Sequence, residues 1–149
     1  MCGIVGITSS KPVSSMILNS LRKLEYRGYD SSGIATLHEG IIHEMKSEGR
    51  VDALEKNLNK SNLYGNIGIG HVRWATHGVP STINAHPHSS DNVSVVHNGI
   101  IENSTLLKKM LLKKGHVFKS QTDTEVITCL LYTSPSPRDT ERSRMPSSA

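Results

Sequence analysis

The feature that most constrains this chain is a break in its own pattern. An apolar helical run, Glu125–Leu131, gives way in mid-pattern to Thr133-Ser-Pro-Ser-Pro-Arg and a tail that ends at Ala149. Residues 133–149 hold three of the six prolines and five serines, and no aliphatic residue larger than Met145. Such a segment cannot offset the entropy of ordering by burying apolar surface. The folded part is therefore expected within residues 2–130, as one partial domain, with residues 131–149 a disordered tail. The tail resembles translated sequencing-adaptor sequence and reads as foreign to the domain; a natural disordered tail is the alternative.

Within residues 2–130 the apolar period changes repeatedly. Gly3–Thr8 is a short apolar run that predicts a buried strand. Val13, Met16, Ile17, Leu18, Leu21 and Leu24 share one helical stripe, which predicts a helix from Val13 to Tyr26 with Gly28 as its stop. Gly33–Leu37 and Ile41–Met45 flank His38-Glu39-Gly40, a hairpin with a glycine turn. A short helix suits residues 51–58. Strands are predicted over Asn66–Trp74 and Asn92–Asn98, separated by a polar loop over residues 75–91. A helix follows from Thr105 to Lys114, with Ser104 as candidate cap and Gly115 as stop. Another begins after Thr122, with Thr122 or Asp123 as cap and Glu125 in its first turn. Short strands joined by hairpins, followed by helices, predict an α+β fold with mostly antiparallel sheet.

Charge and cysteine content narrow the function classes. The chain of 149 residues carries 17 basic and 13 acidic side chains, net +4, with one Trp, four Tyr and one Phe. The lysine pairs 108–109 and 113–114 read as one solvated helix face, and no aromatics interleave with them, so nucleic-acid binding is not expected. No window approaches the roughly 18 apolar residues of a membrane span. Met1–Ile7 lacks the basic segment of a secretory signal. The two cysteines, Cys2 and Cys129, make no disulfide framework, so a cytoplasmic protein with reduced thiols is expected.

Cys2 is the sharpest chemical feature. Removal of Met1 would leave its thiol and a free α-amine on one residue. An α-amine titrates near neutrality, so a fraction is free base and can take the thiol proton. Six motifs then follow in order: Cys2-Gly-Ile-Val-Gly, Leu24-Glu-Tyr-Arg-Gly-Tyr-Asp-Ser-Ser-Gly33, His71-Val-Arg-Trp-Ala-Thr-His-Gly78, Asn84-Ala-His-Pro-His88, His97-Asn-Gly-Ile-Ile-Glu-Asn103 and Thr122-Asp-Thr-Glu-Val126. Together they resemble the glutaminase domain of the class II glutamine amidotransferases. The wording at Tyr26–Asp30 and Arg73–Gly78 is most similar to the branch that converts fructose 6-phosphate to glucosamine 6-phosphate. The resemblance covers residues 2 to about 130 and leaves the sugar-phosphate domain out.

That resemblance implies a four-layer αββα sandwich of the N-terminal nucleophile type, and hydrolysis of L-glutamine through a thioester on Cys2. It implies an oxyanion site from the Asn98 side chain and the Gly99 N–H, which suits a backbone free of a Cβ. It implies Arg73 for the substrate carboxylate, because a guanidinium fork matches a carboxylate. Asp123 is implied for the ammonium, Thr76 and His77 for further polar contacts, Trp74 for closure over the substrate and Arg27 for support of the N-terminal residue. No cofactor is expected, and the full-length form is expected to be a homodimer. Two other readings remain: an inert truncated fragment, and another class II amidotransferase such as one acting on phosphoribosyl pyrophosphate.

Other features have plainer explanations. His71, His77, His86, His88 and His97 suggest a metal cluster, but no metal-ligand spacing accompanies them, and backbone-bonded histidines are commoner. Gly65-Asn-Ile-Gly-Ile-Gly70 lacks the lysine of a phosphate loop and leads into a strand. Asn59, Asn92 and Asn103 open glycosylation-type triplets that carry no weight without a secretory signal. Cys129 reads as a small apolar residue.

Overall fold

A computed structural model describes residues 1–76, 78–90 and 92–133. The chain order is β1 (Gly3–Thr8), α1 (Ser14–Leu24), a single 3-10 turn (Glu25–Arg27), β2 (Ser31–His38), β3 (Ile41–Glu48), α2 (Val51–Leu58), β4 (Ile67–Arg73), β5 (His88–Ser89), β6 (Ser94–Val95), α3 (Ser104–Lys113) and α4 (Glu125–Thr133). β1, β4, β2 and β3 form one antiparallel sheet in that spatial order, and β5 pairs with β6. The β2–β3 hairpin turns through Glu39 and Gly40, both at positive φ (50° and 78°). That conformation matches a two-residue loop to the strand twist, and glycine adopts it without strain.

The core lies between this sheet and α1/α2. Val13, Ile17, Leu18 and Leu21 of the α1 stripe, Val51, Leu54 and Leu58 of α2, and Ile34 and Val72 of the sheet are all buried together. Burying each such side chain is worth about 1.5–3 kcal/mol. Glycines on β4 let α1 come this close: a Cβ on Gly68 would lie 2.7 Å from Ile17, and one on Gly70 would collide with the same side chain. The Gly65–Gly70 run therefore serves packing, as its lack of a phosphate-loop lysine suggested.

The opposite sheet face carries β5–β6 and the loop before them, with α4 packed beyond. Lys46 Nζ on β3 donates to Pro87 O at 3.2 Å, and the His71 ring on β4 stacks on His86 at 4.3 Å. The order of layers is helices, sheet, sheet, helices, an α+β fold with antiparallel sheets as expected. The second sheet is small. The strand expected over 92–98 shrinks to Ser94–Val95, because the following residues turn away to bring Asn98 to Cys2.

Three local expectations are corrected. Ser104 is the first residue of α3 rather than its cap, and Asn103 makes no side-chain cap bond there. Lys108 leaves the solvated face: its Nζ lies 4.8 Å from the Phe118 ring centre and donates to Ser120 O. α4 continues through Thr133, so the boundary drawn at 131 falls inside a helix. The disorder expected for the rest of the tail concerns residues 134–149, outside the described residues. Among the described residues no helix is long and apolar enough to cross a membrane.

Candidate active site

Cys2 stands at the start of β1, and β1 pairs with β4 so that Gly3 faces Val72. This register brings Cys2 beside the residue that follows β4. The Trp74 N–H donates to Cys2 Sγ at 3.2 Å, and Sγ lies 3.6 Å from Trp74 O. A backbone N–H directed at sulfur stabilises negative charge as it develops there. The same peptide is packed from behind: a Cβ on Gly28 would lie 2.5 Å from the Arg73 carbonyl carbon and 2.8 Å from Trp74 N. Only glycine leaves that peptide room at this approach. Arg27 Nε donates to Cys2 O at 3.1 Å, and Asn98 Nδ2 donates to the same oxygen at 3.2 Å.

Cys2 and Asn98 line a cavity of about 290 Å³ with Arg73, Trp74, Thr76, His97, Gly99 and Thr124. Arg73 is 3% exposed. Its guanidinium lies 3.7 Å from Asp30 Oδ1, and Nη2 donates to Gly78 O at 3.2 Å. Trp74 is half exposed and meets Tyr29 edge-on at 5.7 Å, with Arg50 5.4 Å from the Tyr29 ring centre. Asp123 does not line this cavity; its Oδ2 accepts from the Ile101 N–H at 2.7 Å and so holds the end of the segment that carries Asn98 and Gly99. His77 lies outside the described residues. One cavity thus gathers Cys2, Asn98, Gly99, Arg73, Trp74 and Thr76, while Arg27 and Asp123 reach its walls from behind.

Residues 55–135 match a family model described as a glutamine amidotransferase domain. The chain belongs to that family. Among curated relatives, glutamine–fructose-6-phosphate aminotransferase (isomerizing) of Pyrococcus horikoshii is 57% identical over 133 residues, and that of Clostridium acetobutylicum 58% over 133. The enzyme of the same name from Bartonella henselae is 53% identical over 131. Each match covers 88% of this chain but 22% of the relative, so the chain spans about a fifth of the length of these proteins. A solved glutamine phosphoribosylpyrophosphate amidotransferase from B. subtilis superposes with a TM-score of 0.78 at 27% identity, over 95% of this chain and 31% of that one.

The amidotransferase domain also holds contacts that no motif announced. Asp30 lies in the second motif and links three neighbours. Its Oδ1 pairs with Arg73 and accepts from Ser31 Oγ, and its Oδ2 takes the Ala75 N–H. It thereby fastens both sides of Trp74. Thr124 Oγ1 lies 3.2 Å from His97 Nδ1. Glu125 folds back at the start of α4 and accepts from the N–H groups of Lys119 and Ser120. All three lie within the six motifs; Asp30 reaches Ala75 across 45 positions and Thr124 reaches His97 across 27, while the Glu125 partners are only five and six positions away.

His71, His86 and His88 form a buried column. His86 stacks on His71 at 4.3 Å and meets His88 edge-on at 4.8 Å. Among the described residues no group of three or more His, Cys, Asp or Glu side chains converges to hold an ion. Burial is the main reason that His71 and His88 are each pushed down from 6.5 to about 4, and it drives His86 down further. All three rings are neutral at pH 7.

Proposed function

We propose that this domain hydrolyses the side-chain amide of glutamine through a thioester on Cys2. The observation that carries the reading is the placement of Cys2 Sγ 3.2 Å from the Trp74 N–H, in the same cavity as Asn98, Gly99 and Arg73. With Met1 removed, the Cys2 α-amine takes the thiol proton. Sulfur attacks the amide carbon and an S–C bond forms. The Asn98 amide and the Gly99 N–H take the oxyanion; one such donor is worth about 2.7–4 kcal/mol in the transition state. The C–N bond breaks, ammonia leaves with the proton, and water later releases glutamate from the thioester. Arg73, Thr76 and His77 hold the substrate carboxylate, Trp74 covers it and Arg27 steadies the Cys2 carbonyl; Asp123, behind the wall, holds the Asn98–Ile101 segment in place rather than the ammonium.

In the longer protein the ammonia is used to aminate fructose 6-phosphate. Identity of 57% to relatives named for that reaction, against 27% to the phosphoribosylpyrophosphate enzyme, supports this acceptor. One observation favours an inactive chain instead. Ile4, Leu37 and Ile67 on the second sheet face are 42%, 41% and 51% exposed, apolar surface that favours association.

The test is incubation of the purified chain with the glutamine-site alkylator 6-diazo-5-oxonorleucine, read by intact mass. Loss of Met1 with one adduct on Cys2 is the expected result. A monomeric, folded chain that has lost Met1 and takes no adduct refutes the reading, and a chain that keeps Met1 yet hydrolyses glutamine refutes the α-amine as base.

A further inference from the structure

Two stacked histidine rings, His71 and His86, hold the residue that precedes Asn98 and Gly99. His97, the residue before Asn98, is held on both of its peptide groups. Its N–H donates to His86 Nδ1 at 3.3 Å. Its carbonyl oxygen lies 3.2 Å from His71 Nε2 and accepts from it. The first bond fixes the peptide that enters His97, the second the peptide that leaves toward Asn98. The His97 ring is tied separately, through Nδ1 to Thr124 Oγ1 at 3.2 Å.

We propose that His71 and His86 are positioning residues that clamp the His97 backbone and thereby aim Asn98 and Gly99 at the oxyanion formed on the Cys2 substrate. The inference rests on the glutaminase reading and deepens it. The two rings are parallel within 17° at 4.3 Å, so neither can tilt without the other. Their hydrogen-bond roles dictate one tautomer. His86 accepts at Nδ1, so its proton sits on Nε2. His71 donates from Nε2, so its Nδ1 is bare, and that atom is buried with no hydrogen-bond partner among the described residues. A buried polar atom left unsatisfied costs stability. An aliphatic side chain would fill the same space without that cost, but it would release the His97 backbone.

Protonation would undo the clamp, since a charged His86 would present an N–H to the His97 N–H. Burial opposes this, and so do the cation of Arg73 and the neighbouring rings of His71, His88 and His97. The clamp is therefore closed at neutral pH.

The test uses the full chain with His86→Leu and His71→Leu, which keep bulk and lose the bonds. His86→Asn restores an acceptor at the Nδ1 position, and His71→Gln restores a donor at the Nε2 position. Three readouts are taken: imidazole tautomers of the wild type by nitrogen-15 NMR, amide hydrogen exchange at His97, and kcat with KM for glutamine hydrolysis. Both rings are expected as Nε2–H tautomers. Both leucine variants are expected to speed exchange at His97, whose N–H is bonded to His86, by about tenfold or more. Their kcat is expected to fall on the order of 10²-fold with KM within roughly threefold, and the Asn and Gln variants to recover most of it. An Nδ1–H tautomer at His86 overturns the proposal even if no variant folds. Folded leucine variants with unchanged exchange, or a kcat loss that Asn and Gln do not repair, also overturn it. A wild-type chain without glutaminase activity would defeat the functional reading, and tautomer and exchange would then decide the clamp by themselves.

Discussion

Lowering the pH from 7.5 to 5 is expected to remove about 6 kcal/mol of folding stability through the histidine column alone. His71 and His88 titrate at about 4 in the folded chain and near 6.5 when unfolded, and His86 lies lower still. A depressed folded value means that the unfolded chain binds more protons between those limits. Stability is then complete above about pH 6.5 and falls as the pH drops toward 4, where the contributions of His71 and His88 level off. At pH 5 each ring is nearly all charged when unfolded and nearly all neutral when folded, a difference of about 2 kcal/mol per ring. Three rings give about 6 kcal/mol, which rivals the roughly 5–15 kcal/mol that a domain has in total. Urea melts at half-unit pH steps, followed by circular dichroism, would trace this slope. His71→Gln, His86→Asn and His88→Gln each replace an ionisable ring with a neutral polar group, and each is expected to remove about a third of it. A midpoint that stays level from pH 7.5 to 5, or a slope untouched by all three substitutions, would refute the assignment of neutral buried rings.

Two more outcomes test the site. Cys2→Ala is expected to abolish glutamine hydrolysis and the diazo-ketone adduct while leaving the melting temperature within about 2 °C, since Cys2 lies outside the core cluster; residual turnover would remove Cys2 as nucleophile. Gly28→Ala places a Cβ 2.5 Å from the Arg73 carbonyl carbon and so displaces the Trp74 N–H from the thiol. It is expected to cost about 1–3 kcal/mol and to slow alkylation of Cys2; unchanged alkylation kinetics would show that this peptide does not tune the sulfur.

Most elements could be read from short windows. The α1 stripe from Val13 to Leu24 and the His38–Gly40 hairpin are local patterns, and they form where the pattern places them. The 92–98 strand shortens to Ser94–Val95 because, among the described residues, it pairs with β5 alone, which is two residues long. Ser104 is not the cap because α3 begins one residue earlier than expected, which leaves Asn103 in the cap position. The motifs were informative about which residues share the site. They said less about geometry: Asp123 reaches Ile101 from behind the cavity wall, and Asp30, central to fastening Trp74, had no assigned role.

What the sequence determined by itself is what local chemistry can encode: apolar period, turn residues, and a cysteine at position 2 with amide, guanidinium and carboxylate groups in a recognisable order. The tertiary structure alone decided who meets whom. Asn98 reaches Cys2 across 96 positions of sequence, and the Trp74 N–H across 72. His71, His86 and His88 become one neutral column only because β4 and the loop into β5 meet face to face beneath the site. No window of sequence carries such a contact, because its energy comes from burial and from partners that the chain brings together only when the sheet has formed.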